Sequence, residues 1–248
     1  MKILGIIPAR YGSTRFPGKP LAMISGKSMI ERVYIQCIKS SLTDVIVATD
    51  DERIYEHVKA IAQVMMTGLH HQSGTDRCHE VVQKLNEPFD YVINIQGDEP
   101  FIDPQQINLL ASVLDGQIEI ATLIKRIEAP EQLFNPNIVK VVRDVANQAL
   151  YFSRSPIPHV RGKNEKDWLS QHNFYKHIGL YAYRTDVLRK IAALKPTSLE
   201  KTESLEQLRW LENGYSILTV ETQMETLGID SREDREKAEQ YFQSSKRN

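Results

Sequence analysis

Short apolar runs alternate with amphipathic stretches through the first 115 residues. Ile3, Leu4, Ile6 and Ile7 form a run that stops at Pro8, Val45-Ile46-Val47-Ala48 leads into Thr49-Asp50-Asp51, and Val64-Met65-Met66 is a third. A fourth, Tyr91-Val92-Ile93-Asn94-Ile95, runs into Gln96-Gly97-Asp98-Glu99-Pro100. Such runs, closed by turn residues, predict strands buried on both faces. Between them the apolar residues recur at helical spacing: Ile30, Val33, Tyr34, Cys37 and Ile38 behind Ser28 as an N-cap, then Ile54, Val58, Ile61 and Ala62. Cys78, Val81, Val82 and Leu85 repeat the pattern, as do Ile107, Leu110, Ala111 and Leu114. This alternation predicts an α/β fold with a mainly parallel sheet covered by helices on both faces. Ligands of such sheets gather at the carboxyl ends of the strands, so the loops after Pro8, Val47 and Ile95 are expected on one rim.

Beyond residue 115 the rhythm changes. Segments 118–125, 138–143, 149–153 and 178–183 read as strands without full helical crossovers, which predicts a smaller mixed or antiparallel lobe at about 118–184. Within it, 156–174 is mostly polar and follows no period. Helices are predicted at 185–194 and 205–213, then a strand at 217–220 and a charged helix from Ser231. No repeat, low-complexity tract or linker interrupts the chain, so 1–248 is expected to be one unit.

Composition narrows the function. Of 248 residues 41% are hydrophobic and 25% charged, as in ordinary globular proteins, and the net charge of −1 gives no footprint for nucleic acid as a partner. The two cysteines fall on apolar helix faces with no disulfide or zinc spacing, which predicts buried thiols in a reducing compartment. Because the chain opens on a strand and no apolar run has membrane-spanning length, a cytoplasmic protein without membrane insertion is expected.

Against that neutral background the loop after the first strand stands out. Arg10, Arg15 and Lys19 fall within ten residues together with Gly12, Ser13, Thr14 and Gly18, and no acidic residue precedes Glu31. A cationic, glycine-bearing loop at a strand exit suits a polyanion such as a triphosphate. It is not a Walker A loop: five residues separate Gly12 from Gly18, and Pro20 follows Lys19 where a magnesium-binding hydroxyl would stand. Magnesium ligands must then come from elsewhere. Asp98, delivered to the same rim, suits a hard cation, although Gly-Asp is also ordinary turn chemistry. Asp230 is a second carboxylate that reads equally as a helix cap. Segment 70–77 is a polar loop suited to a base or ribose. Arg154 beside strand-borne aromatics could clamp a carboxylate, yet periodicity alone reads it as a surface arginine and His177 as a structural histidine.

Several segments resemble the sugar nucleotidyltransferases, and within them the 3-deoxy-manno-octulosonate cytidylyltransferases. They are 8–21, 71–77 (His-Gln-Ser-Gly-Thr-Asp-Arg), 96–100, 135–142 (Asn-Pro-Asn-Ile-Val-Lys-Val-Val), 149–154 and 205–209 (Leu-Glu-Gln-Leu-Arg), in the family's order. The resemblance implies a Rossmann-like nucleotide-diphospho-sugar transferase fold and a homodimer built through the smaller lobe. It implies CTP and a 3-deoxy sugar acid as substrates, CMP-sugar and pyrophosphate as products for lipopolysaccharide synthesis, and Mg2+ as cofactor. By position, Ala9, Arg10, Ser13, Arg15, Lys19, Thr75 and Arg77 match nucleotide-binding residues, and Arg15, Lys19 and Asp98 catalytic ones. Asp98 and Asp230 match metal carboxylates, while Gln96, Arg154, His177, Glu206 and Gln207 match the sugar-acid pocket. An amino-substituted analogue or a sialic acid remains an alternative acceptor.

Overall fold

Each apolar run of the first half becomes a strand, and each amphipathic stretch packs a helix against it. The structure is a computed structural model that describes residues 1–12, 16–225, 228–229, 231, 233–236 and 238–239. Strand β1 (Ile3–Ala9) is followed by a 3₁₀ turn at Lys19–Leu21 and a small hairpin, β2 (Met23–Ile24) and β3 (Lys27–Ser28). Helix α1 (Met29–Cys37) starts at Ser28, whose side chain accepts from Glu31 N. The alternation continues with β4 (Asp44–Thr49), α2 (Glu52–Val58), β5 (Gln63–Met66), α3 (Gly74–Lys84), β6 (Tyr91–Asn94) and α4 (Pro104–Ser112).

The second half adds β7 (Ile120–Arg126), α5 (Pro130–Phe134), β8 (Lys140–Arg143), β9 (Ala149–Ser153) and α6 (Trp168–Gln171). It closes with β10 (Tyr175–Arg184), α7 (Thr185–Ala192), α8 (Ser198–Glu203), α9 (Gln207–Glu212) and β11 (Ile217–Glu221). Residues 233–236 and 238–239 are helical.

One nine-stranded sheet carries the fold, in the order β11-β7-β10-β6-β1-β4-β5, with the β8–β9 hairpin attached to β10. Pairings β1/β4, β1/β6, β4/β5 and β7/β11 are parallel, whereas β10 runs antiparallel to both β6 and β7. Strands that the sequence pattern assigns to the smaller lobe, β7 and β10, are therefore woven into the central sheet. The β8–β9 hairpin branches from β10 off the main strand order, and segment 156–174 adds no strand to the sheet. The reason is burial: Ala182 and Tyr183 of β10 and Ile120 to Leu123 of β7 are almost fully enclosed. Helices α4 and α7 pack against them.

The period-2 alternation of β1 splits the core in two. Ile3, Ile7 and Ala9 join the cluster on one side of the sheet, and Leu4 and Ile6 the cluster on the other. Cys37 and Cys78 lie buried in these clusters as free thiols, and burial pushes both thiols up from their ordinary pKa. The polar segment 156–174 is organised around Trp168, which with Phe174, Leu133 and Ile127 forms a separate apolar cluster. Among the described residues no helix is long and apolar enough to cross a membrane.

Candidate active site

Strand β1 lies between β4 and β6, where the sheet order changes direction, and the cavity opens at the carboxyl ends of β1 and β6. Its volume is about 850 Å³, and its walls bring Arg10, Lys19, Asp98, Thr75, Glu206 and Gln207 together from four separate segments. A side cleft of about 180 Å³, lined by Ala9, Arg10, Gly74 and Arg77 among others, adjoins it.

The basic loop is closed at its neck by Gly18 N donating to Tyr11 O at 3.0 Å. Lys19, on the 3₁₀ turn beyond, pairs with Asp98 at 2.5 Å. The loop lacks a counter-ion in its own sequence, yet the fold supplies one from 79 residues away. Asp98 comes close because Gly97 permits it: a Cβ there would meet Pro8 O at 2.8 Å. Glu99 next to Asp98 also lines the cavity, and burial, with the Asp98 charge second, pushes its carboxyl up to about 8.

Helix α3 begins at Ser73 in a capping box with Asp76, which fixes the direction of its first turn. Thr75 in that turn is buried and donates to Glu206 Oε2 at 3.0 Å. Arg77 is also buried. Its guanidinium donates to Asp50 Oδ2 at 2.6 Å and to Thr67 Oγ1, so it shapes the side cleft as a paired charge. The loop after β4 thus contributes through Asp50, behind the rim.

On the opposite wall, Gln96 donates from Nε2 to Gly179 O at 3.0 Å, and its amide lies where a side chain at 179 would stand. His177 Nε2 is 3.0 Å from Thr122 Oγ1, with its ring between Phe152 and Tyr181. Burial lowers His177 to about 3, so the imidazole is neutral at pH 7. Glu206 is pushed up by burial, its Oε1 has no hydrogen-bond partner among the described residues, and neither has the buried Trp210 Nε1 four positions later. Both line the cavity, with Gln207 between them.

Arg154 departs from the expectation. It does not line the cavity: its guanidinium donates to the carbonyls of Glu203, Pro136 and Ser204, at 2.7, 3.1 and 3.4 Å. Chain geometry is the reason, since α8 ends beside the exit of β9 and brings the Glu203 and Ser204 carbonyls, with Pro136 O from the loop before β8, within reach of the guanidinium. Ser13, Arg15 and Asp230 lie outside the described residues. Of the remaining expected residues, Ala9, Arg10, Lys19, Thr75, Gln96, Asp98, His177, Glu206 and Gln207 converge on the main cavity and Arg77 on the side cleft.

Sequence reasoning passed over Lys176, Glu225, Asn94, Tyr181, Tyr183 and Trp210, which also line the cavity. Tyr181 and Tyr183 share a strand face with His177 and were accessible to period-2 reasoning, as Trp210 was to the i, i+4 spacing from Glu206. Glu225 gave no local signal.

His177 makes the site's stability depend on pH. Its folded value lies below the unfolded one, near 6.5, so protons bind the unfolded chain preferentially and stability falls as pH drops below about 6.5. The stability of wild type relative to His177→Asn is therefore expected to decline by about 1.4 kcal/mol per pH unit between pH 6 and 4. Urea unfolding of both proteins across that range checks this; parallel curves would refute a buried neutral histidine.

The cytidylyltransferase family matches residues 4–222. A 3-deoxy-manno-octulosonate cytidylyltransferase from Cytophaga hutchinsonii is 57% identical over 238 residues, covering 94% of this chain and 95% of its own. The enzyme of that name from Parabacteroides distasonis is 57% identical over 244 residues, covering 96% and 97%. Among solved structures, a CMP:2-keto-3-deoxy-manno-octonic acid synthetase complexed with CTP is 40% identical, with a TM-score of 0.91 over 99% of this chain and 100% of that one.

Proposed function

The chain belongs to the cytidylyltransferase family, among the 3-deoxy-manno-octulosonate cytidylyltransferases, and from that premise we propose the reaction its cavity performs. It transfers CMP from CTP to the anomeric hydroxyl of 3-deoxy-manno-octulosonate, giving the CMP-sugar and pyrophosphate. The carrying observation is the convergence, in one cavity, of Arg10, Lys19 and Asp98 with the Glu206-Gln207 pair.

The hydroxyl attacks the α-phosphorus, the bond to the bridging oxygen breaks, and pyrophosphate leaves in line. Such chemistry is mostly positioning and charge neutralisation. Arg10 and Lys19 are placed to hold the triphosphate, with Lys19 exchanging Asp98 for phosphate oxygens as CTP arrives. Arg15 and Ser13, from the same loop, join this set by resemblance. Thr75 and Arg77 shape the nucleotide end through their bonds to Glu206 and Asp50.

The acceptor end is suited to a polyol. Trp210 Nε1, a donor, and Glu206 Oε1, an acceptor, have no hydrogen-bond partner among the described residues, and sugar hydroxyls offer the complement of both. This matching of one donor with one acceptor favours a hydroxylated tail over an ammonium, which can only donate.

The donor chemistry fits magnesium. Asp98 offers a carboxylate in a cavity built for phosphates, and Ile229, the neighbour of Asp230 in sequence, donates from its backbone to Asp98 O at 2.9 Å. Among the described residues no three metal-binding side chains converge, and magnesium commonly takes one or two carboxylates, completing its shell from phosphates and water. Asp98 and Asp230 would hold it, and when bound it supplies charge neutralisation on the phosphates.

Pyrophosphate release from each nucleoside triphosphate, with a panel of sugar acids and with or without magnesium, tests the function. Release is expected with CTP, magnesium and the 3-deoxy acid together; none with CTP and any 3-deoxy sugar acid would overturn it. A homodimer through the smaller lobe belongs to the same proposal. Support comes from the β8–β9 hairpin, which exposes Val145 completely and Leu150 at 61%. Combining Val145→Lys with Leu150→Glu is expected to halve the mass in light scattering, and an unchanged mass would reject that interface.

A further inference from the structure

A sugar acid brings a carboxylate that needs a cation in the pocket. Among the described residues the cavity offers Arg10, Lys19 and Lys176, since His177 is neutral. Arg10 and Lys19 belong to the triphosphate loop, and the guanidinium of Arg154 is spent on main-chain carbonyls. Lys176 is left.

Its surroundings form a built anion site. Lys176 of β10 stands directly opposite Lys125 of β7 in the antiparallel register. Like charges facing each other across strands are destabilising unless an anion sits between them. Glu225 is that anion: Oε2 is 2.8 Å from Lys125 Nζ, and Oε1 contacts Lys176 Nζ. The partners differ in burial. The Lys176 side chain is only 9% exposed, whereas Glu225 is 45% exposed and lies on the chain just past β11. A lysine this enclosed must keep an anion, because losing one member of a buried pair is strongly destabilising. Glu225 is the exposed member, so its carboxylate can swing into water when another anion takes its place.

We propose that Lys176, backed by Lys125, is the carboxylate-binding cation of the acceptor pocket, and that Glu225 is an internal stand-in displaced by the acceptor's carboxylate. This rests on the acceptor being a sugar acid. Glu225 then competes with substrate, so the two residues affect acceptor affinity in opposite directions.

Steady-state kinetics with CTP and 3-deoxy-manno-octulosonate tests the proposal. Lys176→Met is expected to raise KM for the acid roughly tenfold or more, in keeping with loss of a hydrogen bond to a charged group, with a smaller change in KM for CTP. Lys176→Arg should restore acid binding. Glu225→Gln should lower KM for the acid several-fold. Wild type should prefer the acid to its neutral carboxamide, and Lys176→Met should lose that preference. An acid KM within about twofold of wild type in Lys176→Met, or an unchanged or raised KM in Glu225→Gln, overturns the proposal. If Lys176→Met does not fold, Glu225→Gln and the acid-to-amide ratio of wild type decide, and a ratio near one overturns it. Failure of the functional reading is distinct: wild type would then release no pyrophosphate with any 3-deoxy sugar acid.

Discussion

Asp98→Asn is expected to lower kcat by roughly 10²–10³-fold at saturating CTP, acid and magnesium, the range seen when one preorganised electrostatic group is removed. The substitution keeps the side-chain shape and the turn, because Ile229 N bonds to the Asp98 backbone oxygen, which the change leaves alone. It removes a charge that pairs with Lys19 and, in the proposed magnesium site, one of the carboxylates that would hold the ion. The hold of position 98 on Lys19 is thereby weakened, so KM for CTP should change little or fall while turnover collapses. That split separates a transition-state role from a binding one. Pyrophosphate release with a magnesium titration measures it. Near-normal kcat at saturating magnesium would remove Asp98 from the chemistry.

Lys140→Met carries the largest expected loss of stability. Lys140 is fully buried, and its ammonium donates to Asn135 O at 2.9 Å, Ile138 O at 2.6 Å and Arg154 O at 2.5 Å. Burial lowers its pKa, yet the three carbonyls give the charged form all the acceptors it can use. Methionine fills the space and leaves those carbonyls without that donor, at about 1–3 kcal/mol for each group left unsatisfied. A total near 3 kcal/mol corresponds to a fall of roughly 6–12 °C in melting temperature for a chain of this size. The consequence for function follows the backbone. Asn137, Ile138 and Val139 line the cavity in the loop whose Asn135 and Ile138 carbonyls Lys140 holds, and Arg154 ties down Pro136 in the same loop. KM for the acid should therefore rise in folded Lys140→Met, by more than KM for CTP. Calorimetric melting and kinetics on the folded protein check both parts, and a melting temperature within about 2 °C of wild type would defeat the account.

Lys140 and Arg154 also show how far local signals reach. The resemblance of 149–154 to the family implies a sugar-pocket role for Arg154, yet no residue of that segment lines the cavity and the Arg154 guanidinium makes its bonds to carbonyls of 136, 203 and 204. Lys140 sits in the segment 135–142 with nothing in its neighbours to mark it as a buried hub.

What the sequence determined by itself is local and periodic. The strands β1, β4, β5 and β6, the helices between them and the cap at Ser28 follow from apolar spacing and turn chemistry, because each depends on residues within a few positions. The cationic loop and Asp98 were legible for the same reason: their chemistry is concentrated in short stretches at strand exits. Tertiary structure alone decided three things. It placed β10 antiparallel in the middle of the sheet, which no strand's own pattern encodes because strand partners lie far apart in sequence. It gave Lys19 its counter-ion 79 residues away. It also set Lys176 against Lys125 and closed the pair with Glu225. Charge pairing acts through space across ångströms, and only the folded chain brings those distances into being.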